Sequence, residues 1–503
     1  MEIRSTVSRR RMVAAGLGLA AAACGPAWAR GGASSRASLA AAGTAAVPVA
    51  VLGLVAPSVW TQPEVRALEA LDSHVEWWAP NPAYSALQPI RQLAPGTGAA
   101  SPAPGGPPAW AVGTLAPYTP PPSFADLTPA LKQANFDATA LVPGALRGFS
   151  SAGKPYAVPI GVVPTGLFCN VSAFQEAGIS LPAAGWTLAD FDALCLAMRA
   201  AIRAGKVRAA SSVFPPLVGS TTWTSGRGRS AWYGGLLDPT VWGGFVLGYG
   251  GTIVDGNGMF DLTNAGAIQG LNRLLGIARE YGAPQSAMPD GDAAPGVAPG
   301  VAFPSAMVFA GYPWAGPNYY FGGGAAATRW IPFPAMPDRP VVPATLLGVG
   351  VLQLMTAGRL PFEVQPPLRP AEVPLQAKEA AVAFARWLYE RTSADPTLPG
   401  MPPPLVLDAK VQDAYWATRG GTAARPPVAW RDLAVVQADW PTTGLAPEVI
   451  GGFLQGTTQA CWIVFEALTQ AALGAASLPD ALAAATRQLN AAAAARTSGL
   501  GGA

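Results

Sequence analysis

The sequence predicts an α/β protein in which a mainly parallel sheet is covered by helices. Three observations predict it. Apolar runs of strand length alternate with segments of helical periodicity from residue 47 onward, and Gly and Pro punctuate the joints between them. Half of the 503 residues are hydrophobic while 12% are charged, which is enough apolar material for large cores, although much of it is alanine. The length suggests two or three domains at roughly 100 to 200 residues each.

The elements follow in order. Val47 to Leu54 (VPVAVLGL) reads as a buried strand, residues 62–72 as a helix, Val75 to Trp78 as a second strand and residues 83–93 as a further helix. Residues 96–108 are rich in Pro and Gly and read as a surface loop, before a third strand from Trp110 to Leu115 that ends at Pro117-Tyr118. Such alternation places binding loops at the carboxyl ends of the strands. A short strand from Tyr156 to Ile160 then crosses a Pro/Gly-punctuated segment into Leu167-Phe168-Cys169-Asn170 and a short helix. Thr187 and Asp190 form a capping pair for the next helix, whose Phe191, Leu194, Met198 and Ile202 share one face. Trp186, just before the cap, is placed to pack as a staple. Residues 377–390 form an amphipathic helix with Ala377, Ala381, Phe384 and Leu388 on the apolar face, and Leu478-Pro479-Asp480 opens a terminal helix.

The N-terminus points to export. Ser8-Arg9-Arg10-Arg11-Met12-Val13 is a twin-arginine-type signal, and the apolar run from Met12 to Ala23 is too short to span a bilayer. Two processing readings fit. A lipobox-like Ala21-Ala22-Ala23-Cys24-Gly25 would lipidate Cys24, and Ala27-Trp28-Ala29 would release a chain beginning at Arg30. The lipobox lacks the usual Leu or Val three positions before Cys, whereas residues 30–46 have the Gly/Ser/Ala composition of a lipoprotein tether.

Residues 1–29 hold four of the 32 basic residues, Arg4, Arg9, Arg10 and Arg11, and one of the 29 acidic ones, Glu2, so the remainder carries 28 of each. The nominal net charge of +3 therefore belongs to the export signal. Nothing in the balance points to nucleic acid or to an anionic membrane surface. Cys169, Cys195 and Cys461 lie far apart without CxxC spacing; an oxidising compartment permits one disulfide among them, and the sequence does not choose a pair. With His74 the only histidine, a His-rich zinc site is excluded, and no cofactor is expected. Gly250-Gly251 and Gly322-Gly323-Gly324 match neither a P-loop nor a dinucleotide fingerprint and read as turns.

The run from Gly153 to Ile202 carries the most specific signal. Gly153, Lys154, Tyr156, Pro159, Asn170, Phe174, Ala177, Gly178, Pro182, Trp186 and Thr187 fall in the order G-K-x-Y-x-x-P, Asn, then F-x-x-A-G and W-T. This strongly resembles the extracellular solute-binding proteins of ABC importers, family 1, the sugar-binding class. Cys169 departs from the pattern, since an aromatic residue is usual there. Weaker matches follow in residues 245–264, in Ser305 to Trp314, in residues 330–334 and 347–350, and in the helices at 377 and 478, so the resemblance covers roughly residues 47 to 492.

The resemblance implies a periplasmic-binding-protein fold of the second type, with two lobes joined by hinge strands near 156–160 and 345–351. The export signal read from the N-terminus takes residues 1–29 and the tether 30–46. The first lobe then takes 47–158 and 350–396, the second takes 159–349 and 397–492, and 493–503 form a tail. The resemblance further implies a monomeric binding protein without enzymatic activity that delivers a carbohydrate to the transmembrane subunits of an ABC permease.

Sugars present apolar C–H faces ringed by hydroxyls, so a site needs aromatic platforms and neutral hydrogen-bonding groups. Aromatics in Gly-, Ser- or Pro-bearing segments are the candidates: Trp60 after the first strand, Tyr118 after the third, and Trp232, Tyr233, Trp242, Tyr312 and Trp314 in the second lobe. Trp314 and Trp60 lead this set. Trp387, Trp416 and Trp462 sit in helical contexts and are assigned to packing. Arg227 and Arg229, beside the candidate aromatics, read as a solvated loop. A secreted carbohydrate-active enzyme is the alternative class, but it needs a carboxylate pair facing one cleft, and the aromatic-rich loops are poor in Asp and Glu. A binding protein for a non-sugar solute, or one serving a sensor, is also compatible with the sequence.

Overall fold

The computed structural model describes residues 47–52, 68, 70, 75–81, 86–89, 110–115, 125–136, 145–146, 149–151, 154–183, 185–215, 224–225, 228–229, 239–257, 259–283, 304–311, 328–338, 344–353, 373–394, 409–417 and 459–500. One eight-stranded sheet organises them. Its strands are β1 (Val47–Leu52), β2 (Val75–Asn81), β3 (Ala86–Pro89), β4 (Trp110–Leu115), β5 (Ala157–Asn170), β6 (Met307–Gly311), β7 (Thr328–Pro332) and β8 (Ala344–Gln353). The order across the sheet is β6-β5-β8-β4-β1-β2-β3, with β7 also paired to β5.

The parallel part is β2-β1-β4, as the alternation of strands and helices predicts. Val49, Val51, Val112, Val349 and Val351 fill its interior. Helix α6 (Leu375–Ala394) covers this part, packing on β8, β5, β4 and β1 and on α1 (Thr128–Gln133). Its Ala377, Ala381, Phe384 and Leu388 are buried, and Phe384 lies between Trp77 (6.2 Å) and Trp387 (5.7 Å), so Trp387 is a packing residue as its helical context suggests.

Two expectations are corrected in this half. Residues 83–93 do not form a helix throughout, because Ala86–Pro89 is a strand antiparallel to β2. It is the last strand of the sheet, where a proline's missing N–H is tolerated. The short strand expected at residues 156–160 is instead the start of β5, which runs unbroken for 14 residues through Pro159, Gly161, Pro164 and Gly166. From Ala157 to Pro164 its one ladder among the described strands is with β8, so the prolines sit on an edge and do not break it.

The other half is built on the end of β5. Residues 166–169 of β5 are flanked on both sides by antiparallel partners, β6 and β7. Asn170 caps α2 (Val171–Ala177) by accepting the Ala173 N–H. Thr187 and Asp190 form the predicted capping box of α3 (Leu188–Arg203), and Trp186 packs against Phe191 at 5.9 Å as the staple. The Trp186 indole N–H also donates to the Pro332 carbonyl, tying the cap to β7. Behind it, Phe191, Phe214, Phe309 and Phe333 form a continuous aromatic stack, with Phe214 and Phe309 parallel at 5.1 Å.

Helices α4 (Pro239–Gly248) and α5 (Ala265–Tyr281) pack against each other. Gly270 allows it, since a Cβ there would meet the Phe245 carbonyl at 2.3 Å. Residues 409–417 form α7, and α8 (Gln459–Ala472) and α9 (Leu478–Leu500) close the chain onto α5. Their Val464, Leu468, Leu482 and Leu489 share one core with α3, α4 and α5. Asn490 exchanges two hydrogen bonds of 2.9 Å with the Phe260 backbone, and Thr486 accepts the Leu262 N–H. The segment 493–503, expected to be a tail, continues α9 as far as Leu500.

Candidate functional site

Two strands carry the chain between the halves, β5 outward and β8 back, and they pair with each other where they cross. Strand β4 ends at Leu115, opposite Gly348 of β8, and β1 runs parallel to β4 with Leu52 beside Gly113. Both therefore direct their carboxyl ends toward the crossing. From the other side β6, antiparallel to β5, ends at Gly311 opposite Thr165. Along β5 the two sets of strand ends are separated by the span from Pro159 to Thr165, roughly 20 Å at about 3.3 Å per residue. Strand ends that face each other across such a span are where a ligand cleft of an open α/β sheet belongs.

The candidate aromatics follow these ends in sequence. Trp60 comes eight residues after Leu52, Tyr118 three after Leu115, and Tyr312 and Trp314 immediately after Gly311. Trp60, Tyr118, Trp232, Tyr233, Tyr312 and Trp314 all lie outside the described residues, as does Cys24. The arginine-bearing segment forms a small hairpin, Thr224–Ser225 paired with Gly228–Arg229.

Trp242 is a correction. It sits in helix α4, not in a loop, and has no accessible surface. Its helix reads Pro-Thr-Val-Trp-Gly-Gly-Phe-Val-Leu-Gly, apolar on every side, and a helix of that kind belongs inside a core. Val241, Phe245 and Val246 are buried with it in the core shared by α3, α5, α8 and α9. Gly243 and Gly244, which follow it, are small residues of the same helix.

A buried hydroxyl pair carried no sequence signal. Thr165 of β5 and Thr240 of α4 are each 2% exposed and share a hydrogen bond of 2.6 Å directly behind the end of β6. Isolated threonines in a strand and a helix start are common, so nothing but the fold brings them together. The pair is neutral and fixes α4 to the crossing strand.

Several described carboxylates are committed to backbone. Asp190 accepts the Thr187 N–H and hydroxyl, which hold it below the usual carboxylate range. Glu176 is held low by the Ala209 and Arg208 N–H groups. A general acid needs the opposite shift. Cys169 and Cys195 are buried free thiols, and burial pushes both well above their ordinary range. Neither is in a disulfide, which excludes each of the three pairings that the spacing permits. Among the described residues no group of three or more His, Cys, Asp or Glu side chains is placed to hold a metal ion.

No protein-family model and no curated protein matches the sequence. Solved structures do match. An ABC substrate-binding protein from Listeria monocytogenes in complex with cycloalternan superposes with a TM-score of 0.54 and 14% identity, over 89% of this chain and 99% of its own. An ABC transporter solute-binding protein from Thermotoga lettingae bound with α-D-tagatose gives 0.51 and 14%, over 90% and 100%. A sugar transporter protein from Rhizobium etli in an open conformation gives 0.50 and 15%, over 89% and 100%.

The chain has the two-lobed, type II periplasmic-binding-protein fold. At 14–15% identity the likeness is one of fold. Strands β1 to β4 pack with α6, while β6, β7 and α2 to α5 with α8 and α9 pack around the far end of β5. Strands β5 and β8 run between these two groups and pair with each other.

Proposed function

We propose that the protein is the extracytoplasmic substrate-binding component of an ABC importer, capturing a carbohydrate between its lobes and delivering it to the permease without covalent chemistry. The observation that carries this reading is the facing arrangement of strand ends at the crossing, in a fold whose similar structures hold cycloalternan and tagatose. The proposed ligand-facing aromatics are Trp60 and Tyr118 from the first lobe and Trp232, Tyr233, Tyr312 and Trp314 from the second. Ligand that touches both lobes stabilises only the closed form, which lets a permease distinguish loaded from empty protein. The lobes divide at residues 158/159 and 349/350 in this reading, and the protein acts as a monomer.

A thermal-shift screen of neutral mono- and oligosaccharides tests it. A saccharide at 100 times its dissociation constant adds about 2.7 kcal/mol of stability. A raised melting temperature for at least one saccharide is expected, and none across the screen would remove the carbohydrate assignment.

Export by the twin-arginine route and anchoring through Cys24 belong to the same proposal. Among the described residues no helix is long and apolar enough to cross a membrane. Cys24→Ala is expected to release the protein from the membrane fraction while leaving export intact, because Arg9 and Arg10 remain. Cell fractionation checks this, and equal release of parent and variant would favour cleavage after Ala29.

A further inference from the structure

Tyr389 of α6 donates its hydroxyl proton to the Pro159 carbonyl at 2.7 Å, in a buried setting. Pro159 is the last residue of β5 before the ladder with β8 changes register. Gly348 faces Pro159, while its neighbour Leu347 faces Gly161, so Ile160 is one extra residue on β5. An extra residue of this kind interrupts pairing and lets a strand bend locally. On the β8 side Gly348 leaves room for the Phe149 ring, whose Cζ would lie 2.8 Å from an added Cβ.

Phe149 belongs to the first lobe's framework. Its carbonyl accepts the Tyr156 N–H at 2.8 Å, and its ring meets Tyr156 edge-on at 6.0 Å. Helix α6 is likewise packed on the first-lobe strands β4, β1 and β2. Both crossing strands are thus held from the first-lobe side up to the register change, by Tyr389 at Pro159 and by Phe149 at Gly348. Past it, β5 goes on to pair with β6 from Thr165. Burial pushes the Tyr389 phenol well above its ordinary range, so its hydroxyl keeps the proton it donates.

We propose that Tyr389 is a positioning residue for lobe closure: its bond to Pro159 fixes the first-lobe end of β5 and confines the bend to Ile160–Gly161 and Leu347–Gly348. The inference rests on the reading of the protein as two lobes that close on a solute. Its test uses no ligand. Hydrogen exchange and X-ray scattering are measured on the ligand-free full chain, as parent, Tyr389→Phe and Gly348→Ala.

In Tyr389→Phe, amides of residues 157–163 and 345–350 exchange on the order of tenfold faster, as loss of one buried hydrogen bond implies. Amides of α5 and α9 are unchanged, and the radius of gyration shifts. Gly348→Ala displaces the Phe149 ring and accelerates exchange in the same two segments. Acceleration spread over both lobes, no acceleration, or local acceleration with an unchanged radius of gyration in Tyr389→Phe would overturn the proposal and leave Tyr389 an ordinary packing residue. If no saccharide binds, the functional reading fails while these readouts still decide the role of Tyr389.

Discussion

Trp242→Ala is expected to lower folding stability by about 3–5 kcal/mol, the range for emptying a buried large aromatic position. The ring has no accessible surface and is buried in one apolar core with Val241, Phe245 and Val246. Helix α4 is apolar all round, so no polar face is available to turn inward and fill the gap. Gly270 fixes how closely α5 approaches, which limits collapse onto the cavity. Urea unfolding of parent and variant measures the loss. A change under about 1 kcal/mol, below the range for such a truncation, together with abolished saccharide binding, would return Trp242 to the ligand site.

The opposite pattern is expected at the proposed site. Trp314→Ala and Trp60→Ala each remove a ring proposed to stack on a sugar face when the lobes are closed. Truncating a well-buried aromatic at a binding position commonly costs on the order of 2 kcal/mol or more, about thirtyfold in affinity. Unfolding without ligand should be nearly unchanged in both variants. The two measurements together separate a ligand-facing tryptophan from a core one, and a severe loss of ligand-free stability in either variant would assign that residue to the core.

Much of the fold was legible because local signals and tertiary packing agree. The strands at Val47, Val75 and Trp110 are apolar runs flanked by turn residues, and they pair in parallel as the alternation requires. Thr187 with Asp190 announces a helix start four residues ahead of Phe191, its first buried residue, and the capping box is present. The face of α6 followed from spacing alone, since Ala377, Ala381, Phe384 and Leu388 are all buried.

What was not legible depended on partners distant in sequence. Residues 86–89 have apolar spacing that suits a helix, but β2 offers an open edge and pairs with them. Pro159 and Pro164 look like strand breakers, but among the described strands β5 pairs only with β8 over that stretch. Trp242 was misplaced because glycines in a helix packed closely on another helix look the same, in sequence, as glycines in a loop. The Thr165–Thr240 pair joins residues 75 positions apart, a separation that no local pattern encodes. The aromatic candidates were recognisable by composition, and what the fold adds is that β1, β4 and β6 end facing the same crossing.

A binding component of this kind holds a carbohydrate and does not transform it. Isothermal titration of the chain beginning at Arg30 with the saccharide that raises its melting temperature, followed by chromatography of the recovered sugar, tests both halves together. Saturable binding at one equivalent and a sugar recovered unchanged are expected. Steady release of hydrolysis products, or no saturable binding of any saccharide, would contradict it.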